Sequence, residues 1–183
     1  MFDRDADWAA IPPHLGAAIG VFTPHAWMAI DQLRRVVDVA QVGTFLLNRG
    51  CEHGAWGEKW WYEIALIDSG RLILWFVREG HCAGHDERPP HPTVSVTLRT
   101  IPLSEITDKS LKVDYDVAPD GAVTMTTVDL TLYTSTTTRT VKASLEEYRH
   151  SIEHFQFSKY SSHGVAQMNR LVDFAHAMSR EIR

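Results

Sequence analysis

The sequence predicts an α+β fold: an N-terminal amphipathic helix, a run of antiparallel strands, and a C-terminal amphipathic helix. Three observations predict it. Apolar residues recur three or four apart after Thr23 and again after Gly164, the spacing of a helix with one buried stripe. Between these segments the pattern changes to β-branched and aromatic runs, often alternating with polar residues and separated by turn residues. The 183-residue chain is 44% hydrophobic and 22% charged, a globular composition that excludes disorder, collagen and coiled coil.

The elements follow in order. Met1 to Gly20 reads as an irregular lead-in, because Pro12-Pro13 forbids a regular helix there. Thr23-Pro24 is a helix start, with Thr23 as N-cap and Pro24 at the first helical position. The helix is expected from about His25 to Val42, with Trp27, Ile30, Leu33, Val37 and Ala40 on its apolar stripe. Asn48 to Gly57 reads as a loop. Trp60 to Ile67 and Arg71 to Arg78 read as a hairpin joined by Asp68-Ser69-Gly70. The unbroken run Leu72 to Val77 marks a strand covered on both faces.

Glu79 to Pro92 is expected to be a loop. Thr93 to Leu103 is the next strand, and its apolar parity slips between Leu98 and Ile101, which suggests a bulge or a bend. Leu111 to Val117 alternates apolar and polar residues, so one face is wet. Pro119-Asp120-Gly121 makes a turn. Val123 to Tyr133 follows, with a parity slip at Thr126-Thr127. Thr134 to Lys142 completes the strands. Ser144 and Glu147 form a capping-box pattern that predicts a helix over about Leu145 to His154. The last helix is expected from Val165 to Ile182, with Val165, Met168, Leu171, Val172, Ala175, Met178 and Ile182 on its stripe. That stripe is large enough for the helix to be docked.

The charge balance is 18 − 23 = −5. No basic face is implied, so neither nucleic acid nor an anionic membrane is an expected partner. Two cysteines can form at most one disulfide, unlike a small secreted framework. The acidic N-terminus lacks a basic n-region, and the longest apolar stretches are far too short to span a bilayer. A cytoplasmic location with no membrane span is the expectation.

Three features resemble bacterial pleckstrin-homology-like (PH-like) domains. Tyr62 to Leu74 is similar to the opening hairpin of that family, in which a strand, a short polar turn and an Arg-Leu lead into a second apolar strand. Ile101-Pro102-Leu103-Ser104-Glu105-Ile106 resembles the family's Ile-Pro-Leu-Ser-x-Ile segment. The closing helix resembles the family's plug. The likeness covers about residues 59–183. It implies a curved, partly open antiparallel β-barrel of about seven strands, plugged by the C-terminal helix. It also implies non-catalytic binding of a lipid, peptide or protein. The first hairpin offers only Lys59, Arg71 and Arg78, which favours a protein or peptide over a phosphoinositide. The expected division is residues 1–57, a lead-in and helix packed on the domain, and 58–183, the PH-like part. A homo-oligomer is a further expectation.

The ten histidines raise two metal alternatives. His150-Ser151-Ile152-Glu153-His154 matches H-x-x-E-H. On a helix, His150 and His154 would share a face and bind zinc, with Glu153 as general base of a zinc-dependent hydrolase. The competing reading is a solvated helix face. Cys51, His53, His81, Cys82 and His85 flank the first hairpin and offer ligands for a structural zinc site. The competing reading is two buried cysteines in their thiol form and surface histidines. Trp56, Trp60 and Trp61 are candidates for a binding surface, although such aromatics more often belong to a core. No cofactor other than zinc is implied, because the sequence holds no P-loop, G-x-G-x-x-G or G-x-S-x-G pattern.

Overall fold

The computed structural model describes residues 11–54, 57–83, 89, 91–142 and 145–182; for residues 136–152 it describes the backbone alone. The chain divides into two compact units, Met1–Thr100 and Ile101–Arg183. Among the described residues there are two antiparallel sheets and three α-helices. No helix of the described residues is long and apolar enough to cross a membrane.

The first unit opens with α1 (Leu15–Phe22) and α2 (Ala26–Leu33). Its sheet contains β1 (Phe45–Gly54), β2 (Gly57–Asp68), β3 (Arg71–Cys82) and β4 (His91–Pro102), in the order β1-β2-β3-β4. The residues expected as a lead-in therefore include a helix. Pro12-Pro13 precedes α1 and does not interrupt it, and Leu15, Ala18, Ile19 and Phe22 bury one face at helical spacing. The expected helix over His25 to Val42 is shorter than predicted. It ends at Leu33, where the chain tightens into turns through Val36 N–H to Leu33 O at 3.0 Å. Asp38 then accepts from Ala40 N–H at 3.0 Å, a local turn that competes with helix. Leu33 and Val37 are buried as expected, whereas Trp27 is 69% exposed and lies off the buried stripe.

The residues expected as a loop over Asn48 to Gly57 form most of β1, which pairs with β2 from Phe45↔Leu66 to Gly54↔Gly57. The boundary expected at 57/58 thus falls within a hairpin. Gly57 has φ 92°, which favours glycine at the start of β2. The β2–β3 turn is the predicted one. Ser69 and Gly70 have φ 50° and 72°, the left-handed pair of a tight hairpin turn, and Asp68 pairs with Arg71. Tyr62, Ile64, Leu66, Ile73, Trp75 and Val77 form one core with α1 and α2. Trp75 Nε1 donates to Gln32 Oε1 at 3.0 Å, which joins α2 to β3. Leu72 through Trp75 are all buried, as an unbroken apolar run requires.

The second unit contains a 3₁₀ turn (Leu103–Glu105), β5 (Ile106–Val117), β6 (Val123–Lys142), β7 (Leu145–Tyr160), a 3₁₀ turn (Ser161–His163) and α3 (Val165–Glu181). Its sheet order is β5-β6-β7. The parity slip at Thr126 is a register shift: Asp114 faces Thr127 while Tyr115 faces Met125. The slip before Ile101 falls where β4 runs out into the 3₁₀ turn, with Ile101 and Leu103 both buried.

The helix expected over Leu145 to His154 is a correction. These residues are strand, paired residue by residue with β6 from Lys142↔Leu145 to Thr127↔Tyr160. A partner strand rich in threonine and apolar residues outweighs the helix propensity of Leu, Glu and Arg. The last helix lies where predicted and buries Met168, Leu171, Phe174, Ala175 and Met178. Phe174 meets Phe157 of β7 at a ring distance of 6.1 Å, so α3 covers the sheet face that carries Phe157. Leu130 and Leu111 share that face by register.

Candidate functional site

The hairpin of β1 and β2 gathers the one group of potential metal ligands among the described residues. Cys51 and His53 are two residues apart on β1, so strand alternation puts them on one face. Glu58 lies directly opposite His53 in the register. The ligand atoms of Cys51, His53 and Glu58 all lie within 4.8 Å of one another. His53 Nε2 is 3.4 Å from Glu58 Oε1. Trp60 Nε1 donates to Glu58 Oε2 at 3.3 Å, which holds the second carboxylate oxygen. Glu52, between the two ligands in sequence, belongs to the opposite face and is paired there with Arg78.

A cleft of about 300 Å³ adjoins this group, with Glu58, Lys59, Glu79, His81, His25 and Thr93 in its walls. Glu79 organises one side. Its Oε1 is 3.3 Å from His25 Nε2, and its Oε2 accepts from the Trp60 backbone N–H at 3.4 Å. A second, wider groove of about 1190 Å³ runs past His14, Arg34, Asp38 and Asp68. None of the sequence-predicted site residues lines it.

Of the five residues expected to bind structural zinc, Cys51 and His53 are brought together. His81 lines the adjoining cleft beside Glu58. Cys82 belongs to neither group and forms no disulfide with Cys51. His85 lies outside the described residues. The sequence reading missed Glu58, because only the β1–β2 register places it opposite His53.

The H-x-x-E-H reading is corrected by the secondary structure. His150, Glu153 and His154 lie on β7, not on a helix. Strand positions four apart are separated by about 13 Å, so the shared helical face that the motif requires does not exist. His154 is exposed and its ring lies 6.3 Å from that of Tyr133.

Trp60 and Trp61 point to opposite faces. Trp60 stacks with Tyr62 and packs against the helix-side core, while Trp61 stacks with Phe76 at 6.1 Å. Both are half-buried, and Trp56 lies outside the described residues. The large exposed apolar side chains lie elsewhere. Tyr115 (53% exposed), Val117 (70%) and Val123 (61%) stand at the β5–β6 hairpin end, with Leu111 on the same side of β5. Alternation over Leu111 to Val117 foretold an apolar face, but not that its hairpin end, at Tyr115, Val117 and Val123, is exposed.

Two further electrostatic features are resolved. Hydrogen bonding to Asp114 at 2.7 Å, and then the Asp114 charge, raise the Lys112 ammonium above its ordinary range. Burial lowers the Arg170 guanidinium from its usual value. The chain matches no family model, no curated protein and no solved structure.

Proposed function

We propose that the chain is a non-catalytic binding module of the PH-like kind, and that it takes an extended segment of a protein or peptide along β5. The observation that carries this reading is the exposed apolar face at the end of the β5–β6 hairpin. A four-stranded sheet, a three-stranded sheet and a closing helix, in that chain order, are in keeping with the resemblance.

Among the described strands β5 is one of the two edge strands of its sheet, so its outer row of N–H and C=O groups is a template for an added strand. Leu111, Val113, Tyr115 and Val117 alternate with Lys112, Asp114 and Asp116. An incoming strand would meet apolar side chains on one face. On the other face it would meet carboxylates, because Lys112 is engaged by Asp114 and faces Asp129 in the register. The complementary ligand is therefore an extended peptide alternating apolar and basic residues.

The test is an NMR titration with a synthetic peptide about ten residues long that alternates Val and Lys. Saturable shifts confined to the β5 amides at or below about 1 mM peptide support the reading. Equal binding of a Val/Glu peptide, or shifts away from β5, would overturn it. Shifts on β5 that grow with protein concentration alone would assign the edge to a second copy, and would also overturn it.

A further inference from the structure

We propose that the β1–β2 hairpin end is a binding site for a borderline-soft divalent ion, Zn²⁺ first, held by Cys51 Sγ, a His53 ring nitrogen and Glu58 Oε1. The inference is independent of the peptide reading, since it rests on different residues in the other compact unit.

Three considerations carry it. The donor set is one sulfur, one nitrogen and one carboxylate oxygen, the mixture that selects zinc over magnesium or calcium. The present spread of up to 4.8 Å is close to what an ion needs. Zinc bonds of about 2.0–2.3 Å set tetrahedral ligand separations of roughly 3.3–3.8 Å. A contraction of about 1 Å is within reach of side chains that are half-exposed, as at Cys51, or exposed, as at His53 and Glu58. The backbone is already in place, because paired strands fix two ligands on one face and the third directly across.

The carboxylate has an orienting partner as well. Trp60 Nε1 donates to Glu58 Oε2 at 3.3 Å, which leaves Oε1 turned toward His53 at 3.4 Å. Hydrogen bonds to the non-ligating oxygen of a metal-bound carboxylate have this positioning role. An ion seated between Oε1 and Nε2 replaces a direct histidine–carboxylate contact without disturbing the Trp60 hydrogen bond. Three protein ligands leave the fourth position to water, on the open side of the hairpin. His81 stands in the adjoining cleft and outside the ligand group.

The test uses the full chain carrying no polyhistidine tag, with Zn²⁺ titrated against a chromophoric chelator and Co²⁺ as a spectroscopic probe. The expected result is one Zn²⁺ per chain with a dissociation constant below about 10 µM, weaker than closed four-ligand sites. Co²⁺ should give a thiolate charge-transfer band in the near ultraviolet. Cys51→Ser should abolish that band. Cys51→Ser, His53→Gln and Glu58→Gln should each weaken Zn²⁺ binding more than about tenfold, with unchanged far-ultraviolet circular dichroism of the metal-free protein. His81→Gln should change it less than about twofold.

Failure of one equivalent of Zn²⁺ to bind would overturn the proposal. So would full binding by a C51S/H53Q double variant, which would place the ion on other histidines. A His81→Gln loss as large as that of His53→Gln would refute the three-ligand assignment.

Discussion

Gly50→Ala should destabilise the protein, and it should do so through a single neighbour. Gly50 faces Trp61 across the β1–β2 ladder. A Cβ at Gly50 would lie 2.5, 2.6 and 2.8 Å from Cζ2, Cε2 and Nε1 of the Trp61 indole. Relief to ordinary contact requires a ring displacement of about 1 Å. The ring is also stacked on Phe76 at 6.1 Å and 27°, so a displacement erodes that contact. Overpacking of this kind costs about 1–3 kcal/mol, and a stacked aromatic pair is worth about 0.5–1.5 kcal/mol. Against this, alanine reduces the freedom of the unfolded chain by about 0.4–1 kcal/mol. The net expectation is a loss of about 1–2 kcal/mol, or a melting temperature lower by about 2–8 °C. Thermal unfolding followed by circular dichroism measures it. The decisive arm is the Trp61→Ala background, in which Gly50→Ala should become neutral or stabilising by about 0.5 kcal/mol. An equal loss in both backgrounds would refute the steric account, as would a Gly50→Ala protein as stable as its parent.

Other outcomes follow from the same structure. Gly80→Ala should cost less than about 0.5 kcal/mol, because its Cβ would crowd Thr93 Oγ1 alone, at 2.9 Å, a side-chain atom that χ1 rotation can move, while Thr93 O at 3.9 Å is an ordinary contact; denaturant midpoints check this. Gln32→Ala strands the buried Trp75 Nε1 donor and should cost about 1–3 kcal/mol in urea unfolding, and should cost less in a Trp75→Phe background, where no donor is stranded. Phe174→Ala empties a fully buried site against Phe157 and should cost about 3–5 kcal/mol by the same measurement. Val117→Asp changes a residue that is 70% exposed, so stability should stay within about 0.5 kcal/mol while binding of the Val/Lys peptide is lost. Retained peptide binding by that variant would count against β5 as the docking edge.

Legibility in the sequence followed the range of the interaction involved. The β2–β3 hairpin was readable because Asp68-Ser69-Gly70 encodes its turn locally, with Ser69 and Gly70 both left-handed. The bulge in β6 was readable because it is recorded as a parity change at Thr126. β1 was hidden, since Asn48 to Gly54 is polar and becomes strand only through β2. Leu145 to His154 was misread for the same reason: its local preference is helical, and the β6 ladder overrides it. The candidate metal cluster was half legible. Cys51 and His53 are neighbours in sequence, but Glu58 joins them only once the register is known. The exposed hairpin end of the β5 apolar face was legible as alternation and illegible as exposure, because a sequence pattern names a face without saying how far it is covered.

Both sheets share a connectivity with a kinetic consequence. In the orders β1-β2-β3-β4 and β5-β6-β7 each strand neighbours only those adjacent to it in the chain. No strand has to wait for a distant segment before it can pair. The entropy of closing the β2–β3 and β5–β6 hairpins is set by their own short turns, Ser69-Gly70 and the Ala118–Ala122 turn, whose ends bond N–H to O at 2.9 Å. Sheets built this way have lower contact order than Greek-key arrangements of the same strand number, so their ladders can zip outward from each turn. The partly zipped sheet has a growing edge at every stage, and in the second unit β5 and β7 remain the edges of the described sheet.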